Sequence, residues 1–258
     1  MRAMVTLTTE ESKRLIARSI ARMESIRVAL KEGYIGFSIC TSCGYIIQEI
    51  LGKRSLDISS YCCGYIASGG SSSVSDDSRS KLLLLDHGQE RWLNFPEENF
   101  LKYMKRMGEK DIIIKSGTIL DKNGYAGCLV GSRGGGEYGD YLPQILSLGI
   151  QLIVPMTLNK YAPIDLHEIM PEMGIERFPP GRVHGHACGM MPMPGRVVTE
   201  IDAFRDLYGV RAMPVAMGGV GSGIGCVTLI LIGDSDAVES AWTGTNEIKG
   251  EPSLENYS

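Results

Sequence analysis

Apolar side chains recur near helical spacing at Leu15, Ile16, Ile20, Met23, Ile26, Val28 and Leu30, and the TTEES segment ahead of them is built like a capping box. The pattern predicts one long amphipathic helix over residues 8–29. Residues 34–39 read as a strand, 40–44 as a small-residue turn and 45–51 as a helix stopped by Gly52. Residues 58–66 and 81–86 supply further apolar strands, and the polar stretch GGSSSVSDDSRS between them predicts a mobile loop. A helix is expected over 94–107, with Asn94 as its cap and Pro96 in its first turn.

The consecutive isoleucines Ile112, Ile113 and Ile114 mark a strand covered on both faces, as in parallel sheets. After it come a polar turn, Asp121 to Gly124, a short apolar run at 128–130, and three glycines between Arg133 and Glu137. A helix over 140–148 and a strand over 150–155 follow. This alternation implies an open, mainly parallel, Rossmann-like α/β sheet whose ligands sit at the carboxyl ends of strands. Near Lys160 the composition changes to a segment rich in Pro, Gly and Met, and a second unit is expected beyond it. There the pattern predicts helices over 197–208 and 236–248 and strands over 211–217 and 226–233. With 185–191 as a first strand, these make a small α+β, ferredoxin-like domain with an antiparallel sheet. The expected division is 1–180 and 181–258.

Composition narrows the partners. The 258 residues carry a net charge of -4 and no run of more than two Lys or Arg, so neither nucleic acid nor an anionic membrane is expected. The apolar runs fall far short of the roughly 20 residues that span a bilayer, and the charged first 20 residues contain no signal-peptide core. A cytoplasmic homo-oligomer acting on small molecules is expected. The seven cysteines are odd in number and irregularly spaced, which favours reduced thiols over a disulfide framework. Cys40, Cys43, Cys62 and Cys63 could offer four sulfurs to a metal, but adjacent residues of a strand point to opposite faces. No metal or cofactor is expected there.

Candidate chemistry centres on the glycines. Gly134, Gly135 and Gly136 let backbone N–H groups approach an anion, with the Arg133 guanidinium beside them. Glu137 is either a general base or covalent carboxylate, or the cap of the helix expected at Asp140. Lys115 is either an ion-pair partner of Asp121 or a ligand-binding cation at a strand end. Cys43, in the turn Thr41, Ser42, Cys43, Gly44, is either a thiolate stabilised by a helix N-terminus or a structural cysteine. His184, His186 and Cys188 would share one face of a strand, where they could hold zinc or copper or line an interdomain cleft; the cleft is preferred. GGVGSGIG at 218–225 precedes a strand, so it reads as a hairpin and not as a dinucleotide fingerprint.

Three segments carry a family likeness: IGFSICTSCGYIIQEILG, DIIIKSGTILDKNGYAGCLVGSRGGGEYG and IQLIVPMTLNKY. Together they resemble the superfamily of type A ribose-5-phosphate isomerase, glucosamine-6-phosphate deaminase and the CoA transferases. The resemblance implies a phosphate loop at Thr41, Ser42, Cys43 and Gly44, a ligand-facing Lys160, and a small C-terminal lid domain. Where the isomerases carry an acidic run, this chain has Lys115, Ser116, Gly117, Thr118 and Ile119, and only Asp121 of that series remains. Sugar-phosphate isomerisation itself is therefore not expected. The implied function is binding and transformation of a small phosphorylated or CoA-linked metabolite in an interdomain cleft, isomerase-like or transferase-like, with Glu137, Asp121 and Lys115 as the catalytic set. The alternatives are a non-catalytic ligand sensor or partner protein and a metal-binding protein using the His-x-His-x-Cys segment.

Overall fold

The computed structural model describes residues 1–67, 70–73, 81–94, 98–178 and 184–254. The chain runs β1 (Arg2–Leu7), α1 (Thr9–Ala21), α2 (Glu24–Glu32), β2 (Tyr34–Phe37), α3 (Thr41–Leu51), β3 (Gly64–Ala67), β4 (Gly70–Ser73), β5 (Leu82–Asp86) and β6 (Gln89–Leu93). It continues with α4 (Leu101–Met104), β7 (Ile112–Ile114), β8 (Ile119–Leu120), β9 (Ala126–Val130), α5 (Gly136–Leu148), β10 (Gln151–Pro155) and α6 (Leu166–Ile169). Last come β11 (Gly189–Met193), β12 (Arg196–Val198), α7 (Glu200–Tyr208), β13 (Arg211–Gly218), β14 (Cys226–Ile232) and α8 (Ser235–Asn246).

The fold is mixed α/β, centred on a six-stranded sheet of order β12-β10-β7-β2-β5-β6. Strands β12, β10, β7 and β2 are parallel, whereas β5 and β6 close one edge antiparallel. Ile113 lies in the middle of this sheet, in register with Gly36 on one side and Leu152 on the other. All three isoleucines of β7 are fully buried, as their unbroken apolar run predicts. A second, antiparallel sheet has the order β1-β14-β13, a third joins β11, β9 and β8, and β3 pairs with β4. Among the described residues no helix is long and apolar enough to cross a membrane.

The capping box forms as the sequence predicts: the Thr8 side chain accepts from the Glu11 N–H, and the Glu11 carboxylate accepts from the Thr8 N–H. The helix beyond it divides, however. Met23 takes extended dihedrals, φ -61° and ψ 141°, and α2 starts anew. The change of direction keeps Ile20, Met23, Ile26 and Ala29 all buried, which a straight continuation of one stripe would not require. The helix expected over 94–107 is only the short α4, with Pro96 outside the described residues. Ser59–Tyr61 forms a 3-10 turn, so the second expected strand is confined to β3; of the polar stretch that follows, Gly70–Ser73 is strand and residues 69 and 74–80 lie outside the described residues.

The C-terminal region is interleaved with the rest of the chain. β12 extends the central sheet beside β10, and β1 pairs with β14 from Arg2↔Ile232 to Leu7↔Val227. The antiparallel sheet expected within 181–258 thus takes its third strand from the N-terminus, and a boundary at residue 180 does not separate the sheets. Residues 184–188 form no strand, because Gly185 takes a positive φ of 94° that breaks the alternation. β11 begins at Gly189 and pairs with β9, not with β13 or β14. The glycine-rich turn between β13 and β14 is the hairpin its sequence predicts.

Candidate functional site

Parallel strands leave their carboxyl ends on one edge of the sheet, where the segments after β2, β7 and β10 meet. β2 runs out through Ser38 into Cys40, the N-cap of α3. β7 runs out into Lys115, Ser116 and Gly117; the Lys115 N–H donates to the Ile153 carbonyl at 3.1 Å, which extends the ladder by one residue. β10 leads through a 3-10 turn to Lys160.

Glu137 joins the first two of these segments. It lies in the first turn of α5, with Gly135 as the N-cap, so the helix begins before Asp140 and Glu137 is not its cap. The buried Ser38 hydroxyl donates to Glu137 Oε1 at 3.0 Å, and Lys115 Nζ is 3.9 Å from Oε2. Lys115 therefore pairs with Glu137 and not with Asp121. Burial works against its charge, but the Glu137 carboxylate and the sulfurs of Cys128, Cys40 and Cys63 hold its pKa above the usual lysine range.

Lys160 is the opposite case. Its ammonium donates to the Gly117 carbonyl at 2.8 Å and to the Ser116 hydroxyl at 3.2 Å. Among the described residues no carboxylate lies within ion-pair distance of it. Burial, and then the charge of Lys13, bring its pKa down to about 8 against the pull of Cys40, Cys128 and Glu200. Burial lowers Lys13 as well, although Glu10 stands 3.7 Å away.

The thiols divide by position. Cys40 is partly exposed, and its sulfur accepts the Cys43 N–H at 3.4 Å. A hydrogen bond from the Cys43 thiol lowers the Cys40 pKa to about 6; burial opposes this, and the Lys115 charge and the Ser116 N–H assist it. Cys43 is fully buried, its thiol 3.3 Å from the Ile114 carbonyl, and burial together with Cys40 raises it well above the ordinary thiol range. Of the expected phosphate loop, Thr41 and Ser42 occupy the first turn of α3, whereas Cys43 faces the sheet and Gly44 packs against Ile58 and Tyr61.

The three glycines lead directly into Glu137 at the start of α5. Gly134, Gly135 and Gly136 all take positive φ (76°, 85° and 57°), and the Gly135 N–H is used by the Ser132 carbonyl. Arg133 is exposed and pairs with Glu176. Its turn borders a hollow of about 560 Å³ also lined by Met170, Met173, Met190 and Met191. Asp121 is buried as a turn organiser, accepting the N–H groups of Asn123, Tyr125 and Leu166 at 2.8, 2.8 and 3.3 Å. His184 and His186 are exposed while Cys188 is buried, and among the described residues no three His, Cys, Asp or Glu side chains gather as a metal site.

Sequence reading found Glu137, Lys115 and Lys160, weighed Cys40 only as a metal ligand, and passed over Ser38 and Lys13. Cys40 had a usable signal, since a cysteine just before Thr-Ser at a strand end stands where an N-cap belongs. Comparison with protein-family models, with curated proteins and with solved structures gave no match for this chain.

Proposed function

We propose that the chain binds a small anionic metabolite, phosphorylated or CoA-linked, at the carboxyl ends of β2, β7 and β10, and transforms it with Glu137 as the reacting carboxylate. The half-sheet β12-β10-β7-β2 then serves as a Rossmann-like platform. One observation carries the reading: Lys13, Lys115 and Lys160 converge on one edge of the sheet, with Lys160 lacking an ion-pair carboxylate among the described residues and Glu137 held between Lys115 and Ser38. A buried surplus of positive charge is costly unless an anion completes it. The N-termini of α3 and α5 add N–H donors at the same edge.

The chemistry that suits these groups is proton transfer next to a carbonyl. Glu137 accepts the proton from carbon; Lys115, which stays charged, faces the oxyanion that develops; Lys160, whose pKa lies near neutrality, returns a proton. Acyl transfer to the Glu137 carboxylate is the transferase-like version of the same arrangement.

The test is a thermal-shift screen of sugar phosphates and CoA thioesters, followed by hydrogen exchange of each binder in deuterated water. A ligand present at about 100 times its dissociation constant adds roughly 2.7 kcal/mol, a rise of about 5 to 10 °C for a chain of this size. Lys115→Met should abolish the rise. Glu137→Gln should keep it and lose the exchange. A ligand that stabilises both the parent and Lys115→Met equally overturns the site, and binding without any exchange in the parent favours a sensor.

A further inference from the structure

The segment Cys40-Thr41-Ser42-Cys43 contributes a second chemistry that does not depend on the metabolite reading. Cys40 caps an eleven-residue helix, is partly exposed, and adopts extended dihedrals, φ -156° and ψ 150°. Cys43 lies one turn on, fully buried, with its N–H on the Cys40 sulfur at 3.4 Å and its thiol 3.3 Å from the Ile114 carbonyl. Cβ atoms three residues apart in a helix are about 5 to 6 Å apart, and a disulfide needs about 3.5 to 4.5 Å. Because Cys40 is outside the helical dihedrals, a small rotation there closes the gap while the helix stays intact.

We infer that Cys40 and Cys43 form a dithiol that exchanges with small-molecule disulfides, with Cys40 as the attacking sulfur and Cys43 as the resolving one. In the first step the Cys40 thiolate attacks one sulfur of the disulfide; that S–S bond breaks, a mixed disulfide forms on Cys40 and one thiolate leaves. In the second step the Cys43 thiol gives its proton to the departed thiolate and its sulfur attacks Cys40 Sγ, which releases the second thiolate. The pair is oxidised by two electrons, and the small disulfide is reduced to two thiol-level products. Access sets the order, since Cys40 is partly exposed whereas Cys43 is fully buried. The charged and titratable groups around it are Lys13 of α1, Cys43 of α3, and Lys115 and Lys160 beyond β7 and β10; three of the four are cations that favour a thiolate.

The experiment treats the full chain with oxidised glutathione at pH 6 without oxygen and maps the product by mass spectrometry. The parent should lose two hydrogens in a Cys40–Cys43 cross-link that dithiothreitol reverses. Cys43→Ser should stop with one glutathione on Cys40 and no cross-link. Cys40→Ser should give neither product. A parent digest with no Cys40–Cys43 cross-link, or with Cys40 joined instead to Cys62 or Cys63, overturns the inference without reliance on any variant. Glutathione addition to Cys43→Ser at a site other than Cys40 overturns it as well.

Discussion

Arg14 shows how far one buried side chain can organise distant parts of the chain. Only 1% exposed, it donates to Glu251 from Nε and Nη2 (3.0 and 2.6 Å), to Glu49 from Nη1 (3.0 Å) and to Gln48 from Nη2 (2.5 Å), and it stacks on the Tyr45 ring at 4.6 Å. Arg14→Met would leave Glu49 and Glu251 with Arg54 alone, 2.8 and 3.8 Å away, and chemical denaturation should show a loss of about 3 kcal/mol. Arg14→Lys keeps the charge but not the planar fork and should fall between parent and Met. Arg133 makes the contrast. Its pair with Glu176 is solvent-exposed on both sides, so Arg133→Ala should change stability by no more than about 0.5 kcal/mol. Sequence pattern could not rank these two arginines. Arg14 sits among polar neighbours in an amphipathic helix, and its partners are 31 to 237 residues away.

At the scale of elements, α5 depends on its glycines to place Glu137. A Cβ on Gly139 would stand 1.6 Å from the Gly134 carbonyl oxygen, so the helix and the glycine turn can approach only without one. Gly139→Ala should therefore push the turn away, lower stability by about 1 to 3 kcal/mol, and weaken the ligand-induced thermal shift along with it. A Gly139→Ala protein that melts and responds like the parent would show that the close approach is dispensable. What was legible at this scale was whatever local chemistry decides: the capping box at Thr8, the buried isoleucines of β7, the hairpin before β14. Partner choice was not legible. β11 joins β9 and β12 joins β10 because tertiary packing offers those edges, and Met23 breaks a helix that periodicity alone continues. The site followed the same rule. Its strand-end lysines and Glu137 stood out as charges at the ends of apolar runs or beside glycines, whereas Ser38 and Lys13 matter only through what the fold brings to them.

Across the whole molecule, Glu200 gives stability a pH dependence of its own. Fully buried at the start of α7, it accepts the Leu158 N–H with both oxygens, at 3.2 and 3.0 Å, and burial raises its pKa from 4.5 to about 7. Below pH 4.5 the folded and unfolded chains both hold the proton; between 4.5 and 7 the folded chain alone holds it, so this group's contribution falls as pH rises through the interval, by about 3 kcal/mol in all. Glu200→Gln removes that slope. Compared with the parent, the variant should gain stability steadily in urea titrations from pH 5 to pH 8; a constant difference across that range would mean the carboxyl is ionised throughout.

The pairing of β1 with β14 sets a clock on assembly. Thr6 and Thr228, whose hydroxyls meet at 2.9 Å, are 222 residues apart. At about 5 to 20 residues per second, a ribosome needs on the order of 10 to 45 s to deliver the second strand after the first. Throughout that wait β1 has an open edge on both sides, available to any other nascent strand. The newborn chain is thus most vulnerable to aggregation early in its synthesis, and a holding chaperone should raise its soluble yield most when it is present before residue 226 is made.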